Sequence, residues 1–176
     1  MELLSLGWWI TEVVIAILAV AIGFVLGLFF DRMKEKSDDK KKLKETMESL
    51  QYEIGEVYKI LCCGNVTVDD INKDDVIKEK IEKGTVNEGL MYIDTPIWDS
   101  LVATGKFLEI RDSYERVFGY ANYVFKEVKR IEKKQMTEQY KNIDELKKEI
   151  FDMKEKLIKD MREKIGAKEL INFVLK

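Results

Sequence analysis

The sequence predicts an all-α protein in which a single N-terminal transmembrane helix is followed by an antiparallel helical bundle of coiled-coil-like long helices. Three observations carry this expectation. Residues 13–30 form an apolar run with no charged side chain. Beyond it, apolar residues recur at alternating three- and four-residue spacings, the period of a helix face. With one Pro and ten Gly in 176 residues, the chain has few turn formers for a loop-rich or all-β fold.

The first element is the run VVIAILAVAIGFVLGLFF. As a helix it is roughly 27 Å long at about 1.5 Å per residue. Adding residues 7–12 carries it past the roughly 30 Å of a bilayer's hydrocarbon core. Trp8 and Trp9 precede the run, where aromatic rings favour the headgroup level, and Glu12 falls at the outer boundary. A cleaved signal peptide fits less well, because the N-terminus carries Glu2 and no Lys or Arg, and the run ends in Phe29, Phe30 and Asp31 without a small-residue cleavage site. Arg32, Lys34 and Lys36 follow the run, with Lys40, Lys41, Lys42 and Lys44 beyond them. Positive flanks stay inside, so residues 1–12 are expected to be extracytoplasmic and the main body cytoplasmic at the cell membrane. Trp8, Trp9, Arg32, Lys34 and Lys36 are the expected interfacial anchors. The basic flank also predicts contact with anionic headgroups, at about 1 kcal/mol for each charge near the surface. Ala19, Gly23 and Gly27 recur every fourth residue, a row of small side chains through which two such helices approach closely in lipid.

Residues 31–63 are expected to form a long juxtamembrane helix. Over 38–63, Leu43, Met47, Leu50, Ile54, Val57 and Leu61 follow the four-three alternation of a coiled-coil seam, and Tyr52 and Tyr58 widen it. Lys44, Glu45, Glu48, Glu53, Glu56 and Lys59 fall on the outer positions. Gly64 and Asn65 supply a stop. The seam pairs either with later helices of the same chain or with a second chain.

Residues 64–94 form an irregular connector with one short helix at 74–83, entered by Asp69, Asp70, Asp74 and Asp75, whose charges suit a helix N-terminus, and closed by Gly84. A calcium loop starting at Asp70 fails, since Asp75 stands where the turn glycine is needed and Ile81 where the closing Glu is needed.

Residues 95–165 read as a helical hairpin completing the bundle. Thr95 is a capping residue and Pro96 fits the first helical position, so a helix runs over 96–104 to Gly105. Thr104-Gly105-Lys106 is not a phosphate loop, because Ser100 replaces its first glycine and Phe107 follows the Lys. A helix over 108–134 presents Ile110, Tyr114, Val117, Ala121, Val124, Val128 and Ile131, broadened by Phe118 and Phe125. The last long helix, over 137–165, presents Ile143, Leu146, Ile150, Met153, Leu157 and Met161, with Phe151 and Ile158 beside them. Its opposite face of Lys and Glu reads as solvated. The expected bundle core is Leu50, Ile54, Val57, Leu61, Trp98, Leu101, Val117, Phe118, Val124, Phe125, Ile150 and Leu157. Residues 166–176 form an apolar tail that seats in the bundle or on a neighbouring chain.

The residue inventory limits the chemistry. There is no His, which removes Ser-His-Asp and Cys-His catalysis, His proton shuttles and the commonest zinc sites. Cys62 and Cys63 are adjacent and point about 100° apart on a helix, so they form no two-ligand clip; in the cytoplasm they stay reduced. No catalytic, cofactor or metal site is expected. Net charge is -3 and the Lys residues are interleaved with acids, so nucleic acid is not an expected partner. The expected function is that of a non-enzymatic, membrane-anchored cytoplasmic interaction or scaffold protein that self-associates. Its expected partners are membrane lipids, further copies of itself, and another membrane or cytoplasmic protein. The alternative is a homo-oligomeric membrane effector or pore assembled through the transmembrane helix. The lack of a polar face within residues 13–30 counts against conduction.

Overall fold

The computed structural model describes the backbone of residues 2–89, 91–106, 108, 115–137 and 143–175. It describes side chains within those spans from residue 23 onward, apart from 115–118 and 137. The described elements are helices, with no strand among the described residues. They are α1 (Glu2–Cys63), α2 (Val68–Lys73), α3 (Asp75–Lys83), α4 (Pro96–Thr104), α5 (Glu115–Thr137), α6 (Ile143–Lys164) and α7 (Ala167–Val174). The chain divides into two units, Met1–Glu45 and Thr46–Lys176.

The first unit consists of the leading part of α1. Residues 23–30 carry no polar side chain and all are exposed; Phe24 is 67% and Phe30 65% exposed. A Cβ added at Gly23 or Gly27 would meet nothing within 4 Å. Arg32, Lys34 and Lys36 follow, also exposed. No helix among the described residues is long and apolar enough to cross a membrane. Of the run at 13–30, only the side chains of residues 23–30 belong to the described set, and those of Trp8, Trp9 and Ala19 lie outside it.

In the second unit, Leu50, Ile54, Val57 and Leu61 form the buried stripe of α1, with Met47 and Tyr58 beside them. α4 adds Trp98 and Leu101, and the Trp98 ring stacks on Phe125 of α5 with centroids 5.2 Å apart. Ala121, Val124, Phe125, Val128 and Ile131 are the buried face of α5, and Ile150, Leu157, Ile158 and Met161 that of α6. Val117 and Phe118 lie outside the described side chains, as do Ile110 and Tyr114. α5 packs on α6, with Tyr123 bonded to Asp160 and Lys134 to Glu149 at 3.0 Å. As the residue number rises on one helix it falls on the other, so the pair is antiparallel.

The boundaries follow local chemistry. α1 stops where Gly64 takes a left-handed φ of 77°. α3 starts at Asp74, whose carboxylate accepts from Val76 N at 2.8 Å, and ends at Gly84 with φ 71°. Such glycines reverse the chain without a Cβ clash and let it leave the helix.

Several features differ from the sequence expectation. The connector at 64–94 holds two short helices, because Thr67 and Asp70 form a reciprocal capping box that starts α2. Thr95 makes no side-chain cap to α4; it is buried and its hydroxyl donates to Asp99 at 3.2 Å. Glu53 and Lys59, expected on the outer positions of α1, are buried, and so is Lys154 on the supposedly solvated face of α6. Ile143, expected on the buried face of α6, is exposed. The tail folds as α7, and Leu170, Phe173 and Val174 seat it in the core of its own chain. Its backbone lies directly against Gly55 of α1, where an added Cβ would come within 2.6 Å of the Phe173 carbonyl carbon and oxygen.

Candidate interaction site

Between α3 and α4, the described residues 85–89 and 91–95 form no helix. From Met91 to Thr95 the side chains alternate: Met91, Ile93 and Thr95 are buried, and Tyr92 and Asp94 are exposed. That is the two-residue period of an extended strand, yet no second strand lies beside it among the described residues. A buried extended backbone must find partners elsewhere. Side chains from three helices supply them.

Gln135 of α5 mimics a neighbouring strand: its Oε1 accepts from Met91 N at 3.0 Å and its Nε2 donates to Met91 O at 2.7 Å. Glu132, one turn earlier, accepts from Ile93 N at 2.9 Å. Lys154 of α6 donates to Asn87 O at 3.0 Å and also to Gly89 O. Asn87 N donates to Leu61 O at 2.8 Å. Glu53 of α1 then receives the start of α4, accepting from Ile97 N at 3.0 Å and Trp98 N at 2.9 Å. It satisfies the open N–H groups that a local cap would otherwise take. The result is a strap, a non-helical segment pinned by side chains along its inner edge.

Burial sets the electrostatics. Glu53 is 4% exposed, and burial raises its carboxyl above the usual range. The two backbone N–H bonds pull it down, while the Asp99 and Asp94 carboxylates push it further up. Burial alone lowers the Lys154 ammonium. A second tie holds the end of α3. The Tyr58 hydroxyl donates to Ile81 O at 3.0 Å and accepts from Arg162 Nη1 at 2.7 Å, and the same Arg162 nitrogen donates to Glu82 O at 2.9 Å. Burial pushes Tyr58 up to about 12, and Cys62 adds to the rise. The buried Cys62 thiol is likewise pushed up to about 12.

These polar groups hold chain segments and do not converge on a common point. No buried side-chain nitrogen or oxygen among the described residues lacks a partner. Among the described residues, no three His, Cys, Asp or Glu side chains gather where a metal ion would sit. Concave regions among the described residues include two over these elements. One, of about 760 Å3, lies over α6, where Lys156, Lys159 and Arg162 alternate with Asp152, Glu155 and Glu163 beside Lys83. The other, of about 410 Å3, lies between α1 and the outer face of the strap.

Among the residues singled out from the sequence, Leu50, Ile54, Val57, Leu61, Trp98, Leu101, Val124, Phe125, Ile150 and Leu157 come together in the second unit. Gly23, Gly27, Arg32, Lys34 and Lys36 lie in the first, all of them exposed. Sequence reasoning missed Glu53, Glu132, Gln135 and Lys154. The available signal was the alternation Met91, Ile93, Thr95 running into a helix start, since a buried extended segment with no strand partner needs polar side chains from elsewhere. Compared with known proteins, the chain matches no protein-family model, no curated protein and no solved structure.

Proposed function

We propose that this protein is a single-pass, membrane-anchored helical interaction module: residues 13–30 span the bilayer, and the body is a cytoplasmic, self-associating antiparallel bundle without catalytic activity. One observation carries the reading. The described end of the apolar run, residues 23–30, is apolar on every side and exposed on every side. A helix apolar all round is stable where its whole circumference is out of water. At about 1.5–3 kcal/mol for a fully buried large apolar side chain, its exposed Phe, Leu and Val side chains represent on the order of 10 kcal/mol in favour of an apolar surrounding. The basic residues at 32–44 sit where headgroups would meet them. The open faces at Gly23 and Gly27 suit a second transmembrane helix.

Alkaline carbonate extraction of membranes carrying the full chain tests the anchor. The protein is expected to stay with the lipid pellet, and release into the supernatant would refute the anchor. Protease added outside sealed cells is expected to leave the body intact; its digestion would reverse the orientation. Gly23→Ile is expected to weaken self-association in a bacterial two-hybrid assay. Unchanged association would remove this face as the contact.

A further inference from the structure

The groove beside the strap has a built shape and a definite polarity. α1 supplies Tyr52, Glu53, Glu56 and Ile60, Asn65 follows from the turn after it, and Tyr92 and Asp94 come from the strap. Pro96 and Ile97 at the start of α4 complete the apolar floor with Ile60. From Tyr52 to Ile60 the helix rises about 12 Å, the length of three to four extended residues at about 3.3 Å each. The two rings stand out from the surface, Tyr92 72% and Tyr52 45% exposed. Tyr92 is carried on a backbone clamped at both neighbours, Met91 and Ile93, so displaying the ring there needs no ordering of the chain on binding.

Charge gives the direction. Glu56 is paired with Lys59 at 2.6 Å. Among the described residues, Glu53 holds two backbone N–H groups and no cation, and Asp94 has no ion pair. The groove therefore presents two aromatic faces and the exposed Asp94 carboxylate, with buried Glu53 behind it, over an apolar floor.

We propose that this groove binds a short extended segment of a partner protein carrying Arg or Lys side chains. The aliphatic stem of such a side chain lies along Ile97 and Pro96, and its cationic head reaches the Tyr rings and Asp94. The length of the groove selects a peptide over a small cation. The proposal rests on the interaction-module reading and names the chemistry of the partner.

The test uses the full chain in nanodiscs of uncharged phosphatidylcholine, so that lipid charge attracts no probe. A dye-labelled hexapeptide of alternating Arg and Leu, and its Glu-for-Arg counterpart, are titrated by fluorescence anisotropy. Saturable binding of the Arg peptide alone is expected, weakening as salt rises. The double variant Tyr92→Ala with Asp94→Asn is expected to bind at least tenfold more weakly with an unchanged thermal midpoint, since both side chains are exposed. Asp152→Asn, in the other depression, is expected to bind like the parent. The proposal is overturned if the double variant binds like the parent, if both peptides bind alike, or if free arginine amide binds as tightly as the peptide. Failure here with a detergent-solubilised mass above the monomer removes the groove and leaves the interaction module. Release from membranes with groove binding intact removes the anchor and leaves the groove.

Discussion

Gly55→Ala separates two opposing effects whose signs differ. In a helix interior, Ala is favoured over Gly by about 0.8–1 kcal/mol, so propensity alone predicts a more stable protein. The structure predicts the reverse. A Cβ at position 55 would stand 2.6 Å from both the Phe173 carbonyl carbon and its oxygen, and 2.9 Å from Val174 N. Real Cβ contacts essentially never fall below 3.0 Å and ordinary contact begins at 3.4 Å, so the two backbones must separate by several tenths of an ångström. The obstacle is backbone, not the end of a flexible side chain, so the relief is a shift of α7 with Leu170, Phe173 and Val174 drawn from their seats. Overpacking of this kind costs about 1–3 kcal/mol and sometimes more. After the helix gain is subtracted, a net loss of up to about 2 kcal/mol remains. The measurement is urea unfolding of the full chain in uncharged detergent, followed by Trp fluorescence, together with hydrogen exchange of the α7 amides. A lower midpoint and faster exchange in α7 are expected. Stabilisation by about 1 kcal/mol with unchanged α7 exchange would show that this helix does not rest on Gly55.

Glu53→Ala leaves the Ile97 and Trp98 N–H groups without an acceptor; because Glu53 also lines the groove, water relieves part of the loss, and a destabilisation of about 2–3 kcal/mol is expected by denaturant titration. The Glu53 carboxyl is raised above 4.5 in the native state, so folding takes up a proton between 4.5 and its native value. Relative to Glu53→Gln, the parent is therefore expected to gain stability as pH falls through that window, and a gain as pH rises would contradict the burial cause. Lys154→Met keeps the bulk and removes the donor to Asn87 O and Gly89 O, for an expected loss of about 1–3 kcal/mol. The native Lys154 ammonium is lowered from 10.5, so the parent's stability, but not the variant's, is expected to rise with pH from that lowered value towards 10.5. With its thiol pushed up to about 12, Cys62 is expected to resist iodoacetamide at pH 8 in the native protein, while half-buried Cys63 reacts first; equal labelling by peptide mapping would refute this.

The apolar skeleton was legible because burying a stripe imposes a period. Leu50, Ile54, Val57 and Leu61 declare the inner face of α1 by spacing alone, and Gly64, Gly84, Gly105 and Gly166, all at positive φ, mark where helices turn. The charged residues were misread for a physical reason. Charge says that a side chain needs polar partners, and on a helix the default partner is water. Glu53 instead finds backbone groups at the start of α4 and Lys154 finds those of the strap, 44 and 67 residues away in the case of Ile97 and Asn87. No local pattern encodes such a distance. Thr95-Pro96 correctly marks the start of α4, but the cap comes from another helix, because the Thr95 hydroxyl turns to Asp99. The groove was illegible for the same reason: Tyr52 and Tyr92 line one cleft only once the strap is in place.

The strap also dictates an order of events during synthesis. Residues 87–93 leave the ribosome well before their clamps. Glu132 follows Ile93 by 39 residues, Gln135 follows Met91 by 44, and Lys154 follows Gly89 by 65. At roughly 5–20 residues per second, the segment waits several seconds with its amides in water. Contacts this distant along the chain form late and slow the final step. The acidic-aromatic cleft is thus completed late, and a nascent chain stalled before residue 154 lacks the Lys154 clamp on the strap beside it.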